Sequence, residues 1–265
     1  MFEDFNPEEA TKKIVKFLQD TVHRAGFKKI IIPLSGGVDS STVAFLAVQA
    51  LGPANVLIAR FPHKDLNKDN DGELVITKLK IPSKNIFRIE ISEIVKSFLY
   101  AIPGIERPKF RESPLKRIFL GNLMARIRMI LLYDLAKKHQ ALVCGTENKS
   151  EYLLGYFTRF GDEASDLEPI RNLYKTQVVR LASYLGVPEK IIKKKPSAGL
   201  WKGQTDEKEL GFSYKDADQL LFLHFDKKTP WHQIVKMGFK KEVVEKVKTQ
   251  IKRNWFKHKV PIVCR

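Results

Sequence analysis

The stretch between residues 28 and 61 most constrains what this chain can fold into. Residues 28–34 (KKIIIPL) form a short, largely apolar run of strand length. A turn of small residues follows: Ser35, Gly36, Gly37, Val38, Asp39, Ser40 and Ser41. Residues 42–51 read as an apolar helix, and 56–61 (VLIARF) as a second strand. A strand with no polar face belongs in the middle of a parallel sheet, covered on both sides. Strand, glycine turn, helix and strand make one βαβ unit, whose crossover is expected to be right-handed.

The alternation continues along the chain. Residues 6–26 read as a helix: Asn6 suits the N-cap, Pro7 the first turn, and Glu8 and Glu9 the positive end of the dipole. Further helices are expected at 66–79, 92–101, 118–139 and 175–185, with strands at 85–91 and 141–145. Residues 102–116, with three prolines, read as a loop. Beyond about residue 187 the strand signal fades, so 193–211 reads as a loop and 213–253 as helical. The pattern predicts an α/β fold with a mostly parallel sheet flanked by helices and a helical C-terminal region. We expect a single domain over 1–265, with a core at 1–190 and a loop and helical part at 191–265.

Composition narrows the classes. At about 100–200 residues per domain, 265 residues can bury a full core without staples. The two cysteines, Cys144 and Cys264, are too few for a four-thiolate zinc site or a disulfide framework. The expectation is a reduced, cytoplasmic protein. No window approaches the ~18 apolar residues of a membrane span, so no membrane partner is expected. The 47 Lys and Arg against 30 Asp and Glu leave a net charge of +17, which favours anionic partners. A lysine-rich solvated surface gives the same number.

The chemistry lies in Ser35–Ser41. Ligands of open α/β sheets gather at the carboxyl ends of strands. Paired glycines let backbone amides approach an anion, and the helix that follows adds its dipole. A carboxylate in a phosphate site needs a cation beside it, so Asp39 reads as a Mg²⁺ ligand. No lysine follows the glycines, which separates this turn from the Walker loop.

The turn resembles the SGGxDS motif of the PP-loop ATP pyrophosphatases, which cut ATP between the α- and β-phosphates. Four further segments resemble, in order, those of the ammonia-dependent NAD synthetases within that superfamily. They are Gly121-Asn122-Leu123-Met124-Ala125-Arg126-Ile127-Arg128-Met129, Gly145-Thr146-Glu147-Asn148-Lys149-Ser150-Glu151, the run from Gly155 through Asp162 to Pro169, and Pro196 to Gly211. The resemblance implies a Rossmann-like fold of the adenine nucleotide alpha hydrolase type. It also implies ATP-dependent amidation of deamido-NAD by ammonia, through an adenylate, with release of AMP and pyrophosphate. ATP is then a co-substrate, Mg²⁺ the cofactor, and the protein a homodimer without nucleic acid partners.

By the same resemblance, Pro33, Leu34, Ser35, Gly36, Gly37, Val38, Asp39, Ser40, Arg60, Thr146, Lys175 and Ser197 are expected to contact ATP. Asp39 and Glu151 would hold Mg²⁺. Arg126, Arg159, Asp166, His258 and Lys259 would meet deamido-NAD, although the family more often carries Lys where Arg159 stands. Asp162 is the candidate ammonia site, or an ordinary helix N-cap. Residues 193–211 are the candidate lid over the adenylate. Neither cysteine lies in an amidase setting, so free ammonia is the expected nitrogen donor. Two other classes fit the residues less well. A tRNA-modifying PP-loop enzyme suits the charge, but the paired or sulfur-transfer cysteines common there are missing. A non-catalytic nucleotide binder has no need of the Asp39 and Glu151 pair.

Overall fold

The computed structural model describes residues 5–63, 71–101, 114–197, 199, 203–259, 261 and 263–264. Four short strands, β1 (Lys29–Pro33), β2 (Val56–Arg60), β3 (Ile86–Arg88) and β4 (Ala141–Val143), form one sheet in the order β3-β2-β1-β4. All three pairings are parallel, with Ile31 opposite both Leu57 and Val143.

Side chains on a strand alternate between the two faces of the sheet, and here both faces are apolar. Ile30, Ile32, Val56 and Ile58 join one core with α1 (Pro7–Arg24), α2 (Val38–Leu51) and α7 (Lys175–Tyr184). Ile31, Leu57 and Ala59 join a second core with α4 (Ser92–Ala101) and α5 (Pro114–His139). Ile30, Ile31 and Ile32 have no exposed surface. At about 1.5–3 kcal/mol per fully buried aliphatic side chain, this central strand anchors both layers.

The remaining elements are α3 (Asp71–Lys78), α6 (Lys149–Leu154), α8 (Glu189–Ile192), α9 (Asp206–Leu210), α10 (Tyr214–Leu221), α11 (Trp231–Lys236) and α12 (Lys241–Asn254). The last three share a third core with Leu153 and Leu154 of α6 and with Tyr174. The C-terminal helices therefore grip the short helix α6.

The structure moves several expected boundaries. The helix placed at 42–51 begins at Val38, because Gly37 serves as its N-cap and the Ser41 backbone already donates to the Gly37 carbonyl at 3.1 Å. Asp39 thus stands on a first helical turn. The strand placed at 85–91 is regular only over Ile86–Arg88, although the Ile89 and Ile91 amides still bond to Arg60 and Pro62. The long helix begins at Pro114, where a proline without an N–H is tolerated. The expected loop at 193–211 contains α9, and the helical span at 213–253 is three helices with a wide turn at Phe222–Asp226. Parts of the expectations at 66–79, 102–116 and 193–211 lie outside the described residues, namely 64–70, 102–113, 198 and 200–202.

Candidate functional site

The carboxyl ends of β1, β2 and β4 open into a cavity of about 630 Å³. Its floor is the glycine turn. Gly36 has φ +76°, a left-handed conformation that costs other residues roughly 1–2 kcal/mol. The turn is pinned by its own serines. Gly37 N donates to Ser35 Oγ at 3.3 Å, and Ser41 Oγ donates to the Gly37 carbonyl at 2.7 Å. Pro33, Leu34, Ser35, Gly37, Val38, Asp39 and Ser40 line the cavity, while Gly36 is buried and outside the lining.

Three elements bring the central charges together. Asp39 comes from α2, Glu151 from α6, and Lys175 from the first turn of α7. Lys175 is buried, and its Nζ donates to Asp39 Oδ2 at 2.5 Å and to Glu151 Oε1 at 3.1 Å. Burial opposes the ammonium charge, but the two carboxylates outweigh it and hold the Lys175 pKa above its ordinary value. Glu151 is pushed up to about 8 by burial, and Lys175 recovers only part of the loss.

Glu151 is not the exposed carboxylate that its place near a helix start normally gives. Asn148 caps α6, accepting from Glu151 N at 3.0 Å, while the Glu151 carboxylate accepts from Asn148 N at 3.4 Å. The same Asn148 donates from Nδ2 to Asp39 Oδ1 at 3.0 Å. Sequence reading assigned Asn148 no role. The N-x-x-E spacing of a capping box was the available signal.

A deeper network supports the lysine. Asp218 on α10 has no exposed surface; it accepts from Ser150 Oγ at 2.5 Å, Thr176 N at 2.8 Å and Thr176 Oγ1 at 2.7 Å. Ser150 Oγ in turn accepts from Lys175 N at 2.9 Å. Asp206 and Tyr156 line the cavity beside them, and the Tyr214 hydroxyl behind donates to Asp206 at 3.2 Å.

Arg60 and Thr146 sit at the ends of β2 and β4 and line the cavity, as does the exposed Ser197. Arg60 is buried and bonded to Glu73. Asp162 also lines the cavity; its carboxylate accepts from Thr158 N at 2.9 Å and caps no helix. The residue touches solvent in a concave wall, and partial desolvation there raises its pKa.

The five residues expected to meet deamido-NAD are not in the cavity lining. Arg126 Nη2 donates to the Arg159 carbonyl at 3.2 Å, and the Arg159 guanidinium lies 5.4 Å from the Phe256 ring. His258 Nε2 lies 2.6 Å from the Tyr152 carbonyl oxygen. These three share one surface around the C-terminal segment. Asp166 is exposed and accepts from Val143 N at 2.7 Å, at the sheet edge. Lys259 is exposed, and no hydrogen bond or ion pair joins either residue to the other four among the described residues.

Asp39 and Glu151 are hard oxygen donors already sharing one cationic partner. Among the described residues no group of three or more His, Cys, Asp or Glu is placed to hold a metal. Two carboxylates fit Mg²⁺, which takes few protein ligands and completes its shell with phosphate oxygens and water.

A family model described as NAD synthase matches residues 10–261. The chain is 40% identical over 264 residues to the NH(3)-dependent NAD(+) synthetase of Fusobacterium nucleatum, covering 99% of this chain and 97% of that one. It is 45% identical over 252 residues to the protein of the same name from Pyrococcus horikoshii, covering 94% and 93%. Among solved structures it resembles an NMN synthetase from Francisella tularensis (TM-score 0.82, 32% identity, 98% and 99% covered). It also resembles the NH3-dependent NAD synthetase from Campylobacter jejuni in complex with nitrate (TM-score 0.79, 31% identity, 98% and 100% covered). This chain, with its glycine turn under a paired-carboxylate cavity, belongs to the NAD synthase family.

Proposed function

We propose that this chain is an ATP-dependent ligase that amidates deamido-NAD with ammonia, giving NAD, AMP and pyrophosphate. The observation that carries the reading is Lys175 held between Asp39 on the first turn of α2 and Glu151 of α6, all three lining the cavity. The family match and the relatives named above support the reaction class.

The turn amides and the start of α2 would cradle the β- and γ-phosphates. Arg60, Thr146 and Ser197 would meet the rest of ATP. Lys175 would shift from the carboxylates toward phosphate oxygens as they enter. Asp39 and Glu151 would hold Mg²⁺, which when bound neutralises phosphate charge. The substrate carboxylate would then attack the α-phosphorus, and pyrophosphate would leave. Ammonia, placed by Asp162, would add to the acyl carbon and expel AMP. No side chain needs to form a covalent bond. Positioning and charge supply the rate enhancement.

Arg126, Arg159 and His258, with Asp166 and Lys259, are the proposed dinucleotide contacts. All five lie outside the cavity; Arg126, Arg159 and His258 share a surface that a second subunit would complete, and Asp166 lies at the sheet edge. Ile118, Phe119 and Ile130 of α5 are exposed, and a homodimer built on this helix would cover them. Light scattering tests this; a fully active monomer at micromolar concentration would count against it.

The activity test supplies Mg-ATP, ammonium and either deamido-NAD or nicotinic acid mononucleotide, since the F. tularensis structure is of an NMN synthetase. The expected products are NAD and AMP from the dinucleotide. ADP would overturn the assigned cleavage. Turnover of the mononucleotide alone would change the substrate but not the chemistry. No observation favours a tRNA substrate.

A further inference from the structure

One face of α5 forms a wall of the cavity. Ala125, Arg128, Met129 and Leu132 all line it, and their spacing is that of one helical face. Three of the four are apolar. Arg128 is the exception, a half-buried cation whose Nε donates to the Phe61 carbonyl at 3.2 Å. That bond uses one of five guanidinium donors and fixes the plane of the fork.

Among the described residues, its two terminal nitrogens have no hydrogen-bond partner and no carboxylate lies within ion-pairing distance. Loss of water disfavours its charge, and Asp162 restores only part of it. An arginine keeps its proton in such a place. The fork lines the cavity, where its terminal donors can meet an incoming anion. The bland role, fastening the Phe61 carbonyl, uses Nε alone and leaves the fork unexplained.

We propose that Arg128 is a substrate-binding residue that takes an oxyanion, while Ala125, Met129 and Leu132 carry the flat ring of the same substrate. This rests on the ligase reading. The oxyanion is a phosphate or a carboxylate oxygen, and two sources offer one: the α-phosphate of ATP and the carboxylate of the acid being amidated. A guanidinium fork suits either, through paired N–H donors.

The test compares wild type with Arg128→Met by calorimetry and thermal melting. Two ligands are titrated separately: Mg²⁺ with α,β-methylene-ATP, and deamido-NAD. A loss of about tenfold or more in affinity for one ligand, with the other within about twofold, is expected, and it identifies the source. Unchanged affinity for both overturns the proposal. So does an equal loss of both with a lowered melting temperature, which assigns Arg128 to holding the Phe61 carbonyl. If Arg128→Met does not melt cooperatively, Arg128→Lys carries the same titrations, with about threefold or more expected on the same ligand. Failure of the ligase reading looks different: the wild type itself makes no AMP, and Arg128 is then judged on the nucleotide titration alone.

Discussion

Lys175 Nζ stands 2.5 Å from Asp39 Oδ2, a contact between residues 136 positions apart in the chain. It ties the start of α7 to the start of α2 across the sheet edge. The same ammonium serves Glu151, so one cation balances two partly enclosed carboxylates.

Replacing Lys175 with Met leaves those carboxylates facing each other. Breaking a buried pair in this way costs about 3–5 kcal/mol. Lys175→Met is expected to lower denaturant stability by that order and to reduce AMP formation by about 100-fold or more. Stability and turnover measured on the same preparation check both. Wild-type turnover in the variant would remove Lys175 from the phosphate site.

Asp218 supports the lysine without touching it. Its carboxylate accepts three hydrogen bonds from Ser150 and Thr176. Asp218→Ala leaves those donors unsatisfied, at about 1–3 kcal/mol for each buried group that finds no water. Beyond stability, turnover is expected to fall more than ATP affinity, because α7 loses the register of Lys175. Separate measurement of kcat and KM, with Asp218→Asn as the conservative variant, distinguishes this from simple unfolding.

Gly145 sits against Glu168. An ideal Cβ on Gly145 would lie 1.9 Å from Glu168 Oε1. Gly145→Ala is expected to destabilise the protein in the wild-type background. Much of that effect should vanish in a Glu168→Ala background, a coupling of about 1 kcal/mol or more in a double-mutant cycle. Additive effects would show that the alanine clashes with something else.

The pH dependence of stability should carry the mark of buried carboxyls, two of them outside the Lys175 pair. Burial pushes Glu147 up to about 9 against the pull of Arg171, and Glu168 up to about 7. The native state therefore binds more protons than the unfolded chain above the ordinary carboxyl range. Stability from these groups is present below about pH 4.5 and is lost as pH rises through about 7 and then 9. Glu147→Gln, which keeps an acceptor for Arg171, should flatten the fall in melting temperature between pH 7 and 9. An unchanged slope would exclude Glu147 as its source.

Much of this arrangement was legible from residue order. The IIIPL run marked the central strand, and the glycines behind it marked the turn that collects Asp39 and Ser40. Glu151 and Lys175 were singled out by resemblance alone; composition would have left them among ordinary surface charges. What stayed hidden depends on tertiary contact. Asn148 matters because its side chain reaches α2, and Asp218 because α10 folds back under α7. Arg128 belongs to the 121–129 segment, but only the helical phase of α5 against the cavity separates it from Arg126 two positions earlier. The start of α2 was misjudged because small residues resemble a turn until Gly37 caps the helix.

Helix α6 is six residues long and carries Glu151 together with Leu153 and Leu154, both buried in the third core. The two leucines are embedded among the last three helices, so the tail of the chain is the foundation of one half of the acid pair. A shortened protein ending near residue 190 would keep every strand and the glycine turn, yet stand with Glu151 on an unsupported ledge.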